Sequence, residues 1–177
     1  GIYYIARIIK AAKKGDAAIL KELIKILLEN KIKVISSISF NPELTLKKGI
    51  YSKIKPNKDD ALYIKKGIKI LKKTGSYDHV QAVIVRKNDI IKETRSGTKK
   101  LIKSIKKNKI QNGVLIKFPK TKQDLRVDLP TIGINTFKDI KSKNLKGIVV
   151  KGNQNIILDR KDCLKFIDKN KMFLIAK

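Results

Sequence analysis

The sequence predicts a mixed α/β fold, a mixed sheet with helices laid on it, and three observations predict it. Short β-branched runs at residues 80–86 and 113–118 have the length of strands and are too short for helices. Other segments repeat apolar residues at helical spacing, as do Leu62, Ile64, Ile68 and Leu71. The two kinds mix without strict βαβ alternation, which argues against a purely parallel sheet.

From the start of the chain, Ile2, Ile5, Ile8 and Ile9 predict a helix over residues 2–14, broken at Gly15. Asp16 reads as the cap of a second helix, 17–30, with Ile19, Leu20, Leu23, Ile24, Leu27 and Leu28 on one side. Residues 33–37 read as a short strand, and a loop with Pro42 and Gly49 follows. This opening block is too small to bury its own apolar faces. Its partner surface would come from the rest of the chain, from a larger N-terminal domain, or from a second copy in a homodimer.

Pro56 and Asn57 mark a boundary and the start of a helix over 58–73. The expected organisation is therefore residues 1–55 as the end of an N-terminal domain and residues 56–177 as a C-terminal mixed α/β domain. Residues 80–86 and 89–94 form a hairpin around Lys87-Asn88. A lysine-rich helix is expected over 98–109, a strand over 113–118 and an extended piece over 124–129. A short helix over 136–142 precedes a second hairpin, 147–151 with 154–159, across Gly152-Asn153. A helix over 161–169 and a strand over 172–176 end the chain.

The formal charge of +28 raises the question of nucleic acid. Only five of the 43 basic residues are arginines (Arg7, Arg86, Arg95, Arg126 and Arg160), and arginine is the better base reader and phosphate fork. There is no Trp, and five Tyr and five Phe supply few stacking platforms. No specific nucleic acid is expected. A lysine coat suits peripheral contact with an anionic membrane surface. Cys163 and His79 are each alone, so no disulfide framework or cysteine metal site is expected. No apolar run reaches the roughly eighteen residues of a membrane span, and the default expectation is a cytoplasmic protein.

One short segment concentrates chemistry. Residues 117–133, KFPKTKQDLRVDLPTIG, hold Gln123, Asp124, Arg126 and Asp128 within six positions. Asp can ligate Mg²⁺ or orient water, and Arg can grip phosphate in bidentate fashion. If residues 124–129 are extended, Asp124, Arg126 and Asp128 share one face. A structural salt bridge at a strand edge explains the same residues on spacing alone.

The stretch 112–133 resembles the signature of the LpxI-type UDP-2,3-diacylglucosamine pyrophosphatases, lipid A enzymes of Gram-negative bacteria. Gly113, Val114, Leu115, Lys117, Gln123, Asp124, Arg126, Asp128, Pro130 and Gly133 carry the match. Segments 15–23, 41–49, 145–150 and 157–162, with Asp78 and Gln81, follow the family pattern in order. The family is longer, so the resemblance implies about a hundred further residues upstream, an N-terminal domain, and no turnover by this chain alone.

The resemblance implies Mg²⁺-assisted hydrolysis of a lipid-linked UDP-sugar to UMP and the acylated sugar phosphate, in the cytoplasm or peripherally at the inner membrane. It implies Asp124 and Asp128 as catalytic residues, with Glu93 beside them as metal ligands. Gln123, Arg126, Lys117, Gln81, Asp78 and Thr98 are the implied substrate-binding residues. One region departs from the pattern: Glu93, Gly97 and Thr98 are kept, but Ser96 and Lys99 stand where acids are expected. Lys99 would there bring positive charge to the diphosphate or simply be solvated. The alternative class is a non-catalytic basic module binding RNA or an anionic membrane, which has no need of two close aspartates.

Overall fold

The computed structural model describes residues 2–74, 80–121 and 123–177. Its elements in order are α1 (Ile2–Ala12), α2 (Asp16–Glu29), β1 (Gly49–Ile50), α3 (Lys58–Lys73), β2 (Ala82–Arg86), β3 (Asp89–Lys92) and α4 (Gly97–Ser104). Then follow β4 (Val114–Lys117), β5 (Thr131–Ile132), α5 (Ile134–Ser142), β6 (Gly147–Val150), β7 (Ile156–Ile157), α6 (Arg160–Lys169) and β8 (Phe173–Ala176). The fold is mixed α/β, as the sequence predicts.

Six strands form one mixed sheet in the order β1-β8-β6-β4-β2-β3. The middle strands β8, β6 and β4 run parallel. The β2–β3 hairpin joins β4 antiparallel, and β1 closes the other edge antiparallel to β8. The parallel strands are buried along their whole length and apolar apart from Lys117 at the end of β4, as suits strands covered on both faces.

The covers differ. On one face α4, α5 and α6 pack Leu101, Ile102, Phe137, Ile140, Cys163 and Ile167 against Ile84, Leu115, Ile148 and Leu174. On the other α3 packs Ile64 and Leu71 against Val83, Ile116, Val149 and Ile175. Each fully buried Phe or Ile side chain contributes about 1.5–3 kcal/mol. Gly67 lets α3 approach closely: a Cβ there would lie 2.5 Å from the Ile116 Cδ1. Asn57 and Asp60 form a reciprocal capping box at the start of α3, worth about 1 kcal/mol. The buried Asp60 carboxylate also pairs with Lys146 Nζ at 2.6 Å.

The helices α1 and α2 form a hairpin, stitched by Arg7 to Glu22 and Glu29. Ile2, Ile5 and Ile9 stay exposed. Leu46 and β1, which precede Pro56, pack with the sheet-bearing part of the chain: Leu46 is buried in its core and β1 pairs with β8.

Several expected elements take another form. Residues 33–37 make no strand, and the Ser36 hydroxyl instead donates to the Leu125 carbonyl. Asp16 is the first helical residue of α2 rather than its cap; Gly15, at φ +100°, takes that place. The helix 98–109 stops at Ser104, where Ile105 turns extended, and the Lys106 and Asn108 carbonyls beyond it accept from the Arg86 and Asn144 side chains. The hairpin 147–151 with 154–159 does not exist. Both edges of β6 are taken by parallel strands, and β7 pairs instead with β5 in a separate two-stranded sheet.

Candidate functional site

The motif segment leaves the C-terminal end of β4, where ligands gather in open α/β sheets. Strand alternation turns Leu115 and Lys117 toward the face covered by α4, α5 and α6. Lys117 is only 8% exposed, and its ammonium donates to the Thr131 carbonyl at 3.1 Å. Burial pushes its pKa below the ordinary lysine value, and the nearby charges of Glu93 and Asp128 oppose that push. The Lys117 backbone is held as well, its carbonyl accepting from Asn155 Nδ2.

Glu93 follows β3 and is 2% exposed. One carboxylate oxygen accepts the Thr98 hydroxyl at 2.7 Å, and the other accepts the Gln81 backbone N–H at 2.9 Å. A buried carboxylate needs such partners. The side-chain Oε1 of Gln81 is buried and has no hydrogen-bond partner among the described residues. Lys117, Glu93, Thr98 and Gln81 thus form one neighbourhood, with Asp128 close enough to act on the Lys117 charge.

The extended reading of residues 124–129 is overturned. The segment is a single helical turn: the Asp124 carbonyl accepts from the N–H groups of Val127 and Asp128. Asp124 drives it, since its Oδ1 accepts the Arg126 backbone N–H two residues on, the habit of aspartate at turns. Asp124, Arg126 and Asp128 therefore do not line one strand face. Arg126 instead closes on Asp124 with two bonds, 3.0 and 2.7 Å, and holds that carboxyl below its ordinary pKa. Gln123 stitches the loop from inside, accepting the Lys120 N–H at 2.8 Å and donating to the Asp128 carbonyl at 3.0 Å.

Of the implied metal ligands, Asp124 is engaged by Arg126 and Glu93 by Thr98 and Gln81, which leaves Asp128. Among the described residues no three His, Cys, Asp or Glu side chains gather to hold a metal. The three implied ligands are not one cluster. Mg²⁺ is commonly held by one or two carboxylates plus substrate phosphates and water, so Asp128 fits as a single protein ligand completed by a bound diphosphate. Asp78 lies outside the described residues, as does His79.

A cavity of about 380 Å³ opens beside Thr98. Lys99, Asn135, Thr136, Lys138 and one carboxylate, Asp139, line it, near the starts of α4 and α5. Neither helix has a side-chain cap bond, so N–H groups and partial positive charge face that region. Sequence reading missed Asn135, Thr136 and Lys138, although the turn after Gly133 marked a helix start. It also missed Asn155, a 1% exposed polar residue amid apolar neighbours, which was the signal available.

Comparison with known proteins bears on this arrangement. Residues 47–175 match the family model described as the LpxI C-terminal domain. The UDP-2,3-diacylglucosamine pyrophosphatase LpxI of Caulobacter vibrioides is 26% identical over 185 aligned residues. The alignment covers 99% of this chain and 66% of the relative, so the chain spans just under two-thirds of that protein's length.

Proposed function

The chain belongs to the LpxI family, and on that premise we propose that it hydrolyses the diphosphate of UDP-2,3-diacylglucosamine to UMP and 2,3-diacylglucosamine 1-phosphate, in lipid A biosynthesis. The observation that carries this is the buried Lys117 ammonium, acted on by the charges of Glu93 and Asp128, with Glu93 tied through Thr98 to a cavity at two uncapped helix starts. Such a place suits a group with several negative charges.

Each residue then has a task. The positive N-terminal ends of α4 and α5, with Lys99 and Lys138 outnumbering Asp139 on the cavity wall, attract the diphosphate. Glu93 fixes the Thr98 hydroxyl, and so the first turn of α4, in place. Lys117 supplies a positive charge in a water-poor setting, where it acts more strongly than on the surface. Gln81 Oε1, which has no partner among the described residues, is offered as an acceptor for a substrate hydroxyl. Asp128 is the carboxylate left to accept a proton from the attacking water or to hold the metal. When bound, Mg²⁺ would neutralise phosphate charge and stabilise the leaving group. Gln123 keeps Asp128 in register, and the Asp124–Arg126 pair shapes the turn that carries it. Peripheral contact with an anionic inner membrane, in the cytoplasm, belongs to the same proposal.

The test is turnover in ¹⁸O-labelled water, with UMP separated from the lipid phosphate and each weighed by mass spectrometry. The label on one product alone supports hydrolysis and identifies the attacked phosphorus. Absence of UMP with the protein as its gene encodes it contradicts the proposal.

A further inference from the structure

Residues 119–129 carry the motif between β4 and β5, and their hydrogen bonds are almost all their own. Gln123 bonds Lys120 and Asp128, and Asp124 bonds Arg126, Val127 and Asp128. Such bonds fix the shape of the turn and leave its position open. Both flanks are anchored: the Phe118 N–H donates to the Gln81 carbonyl, and the Pro130 carbonyl accepts from the Ile156 N–H. Between them, among the described residues, a single hydrogen bond joins residues 119–129 to a residue outside 118–131. The Ser36 hydroxyl donates to the Leu125 carbonyl at 2.9 Å, across 89 positions of sequence. The Leu125–Arg126 peptide is thereby held at both poles, its carbonyl by Ser36 and its N–H by Asp124 Oδ1 at 3.1 Å.

Ser36 occupies the cap position of the 3₁₀ turn Ser37–Ser39, where a serine ordinarily bonds its own backbone. It makes no such bond, and its hydroxyl goes to Leu125 instead. Seen from the other end, this is also the one hydrogen bond, among the described residues, from residues 2–44 to any residue beyond 45. Lys21 of α2 lies near enough for its charge to act on the Asp124 carboxylate, so the helix and the turn are neighbours. We propose that Ser36 is a positioning residue for the reaction: through the Leu125 carbonyl it sets where the turn, and with it Asp128, stands relative to the buried Lys117. The inference rests on the hydrolytic reading, in which Asp128 carries the chemistry. Misplacing a reacting group by about 1 Å can cost about a hundredfold in rate, so one bond at this place has leverage.

The experiment compares the protein as its gene encodes it with Ser36→Ala, Ser36→Thr and, as a control at the exposed neighbouring position, Ser37→Ala. Two things are read: ¹⁵N order parameters of residues 125–128, and kcat and KM for UDP-2,3-diacylglucosamine with Mg²⁺. In Ser36→Ala the order parameters should fall from the rigid range of about 0.85 toward about 0.6, with those of β4 unchanged. There kcat should fall about tenfold while KM stays within about twofold, because the turn keeps its internal bonds and the cavity at α4 and α5 is untouched. Ser36→Thr retains the donor and should restore both readings, and Ser37→Ala should match the parent. Unchanged order parameters in Ser36→Ala would overturn the tether, whatever the activity. Loosened residues with kcat within about twofold of the parent would overturn the positioning role. A parent without turnover would contradict the hydrolytic reading instead, and the order parameters would still decide whether Ser36 holds the turn.

Discussion

Thr98 donates its hydroxyl hydrogen to Glu93 across 2.7 Å, which ties the first turn of α4 to the end of the β2–β3 hairpin. The other Glu93 oxygen holds the Gln81 N–H at the start of β2. One buried carboxylate therefore fixes two elements that flank the site. Glu93→Ala leaves both donors unsatisfied and is expected to lower stability by about 3 kcal/mol. Glu93→Gln, which keeps one acceptor, should cost about half as much. Urea denaturation checks both, and an unchanged midpoint in Glu93→Ala would remove Glu93 from this role.

Lys117 gives a pH dependence with a definite sign. Its folded pKa lies below the unfolded value, so the folded state binds fewer protons between the two. Stability from this group is lowest where both states are protonated and rises as pH climbs from the depressed value toward the ordinary lysine value of about 10.4. Lys117→Met should flatten that rise in denaturation midpoints measured on the alkaline side. A parallel pH profile in the variant would show that Lys117 is not the source.

Cys163 acts in the opposite sense. Burial and the nearby Asp159 and Asp162 push its thiol up to about 11. The unfolded chain ionises first, so this group subtracts stability above its ordinary pKa. Its thiol donates to the Leu158 carbonyl and is fully buried. Labelling by a thiol reagent at pH 8 should proceed only as fast as the protein opens, and should accelerate in urea. Rapid labelling of the native protein would contradict this environment.

Much of the fold was legible because burial writes itself into residue pattern. Residues 114–116 and 147–150 are apolar on both faces of their strands, and the Asn57–Asp60 box announces α3. What was not legible depended on distant partners. Nothing local to residues 154–159 says that β6 is already paired on both edges. The shape of residues 124–128 was hidden for another reason: their alternation suits a strand, but the Asp124 side chain bonds its own backbone and curls the segment. At the site, the motif marked Lys117 and Asp128, while the Glu93–Thr98 bond and the Asn155 anchor are long-range contacts.

The Asp124–Arg126 pair separates turn-building from chemistry. It is exposed, so salt should screen it and its loss should barely move the denaturation midpoint. Its effect should lie in shape: Asp124→Ala and Arg126→Ala are each expected to raise KM, with a double variant no worse than either single one. Additive losses in the double variant would show that the two residues act independently.

The central claim is that Asp128, beside the buried Lys117, does the chemistry that the diphosphate requires. Its most direct test is the single-turnover rate for UDP-2,3-diacylglucosamine with Mg²⁺, in the protein as its gene encodes it and in Asp128→Asn. The substitution keeps size and polarity but removes the charge that accepts a proton or holds a metal. The account predicts a fall of about a hundredfold or more, with substrate still bound and the far-ultraviolet spectrum unchanged. A single-turnover rate within about threefold of the parent would contradict it.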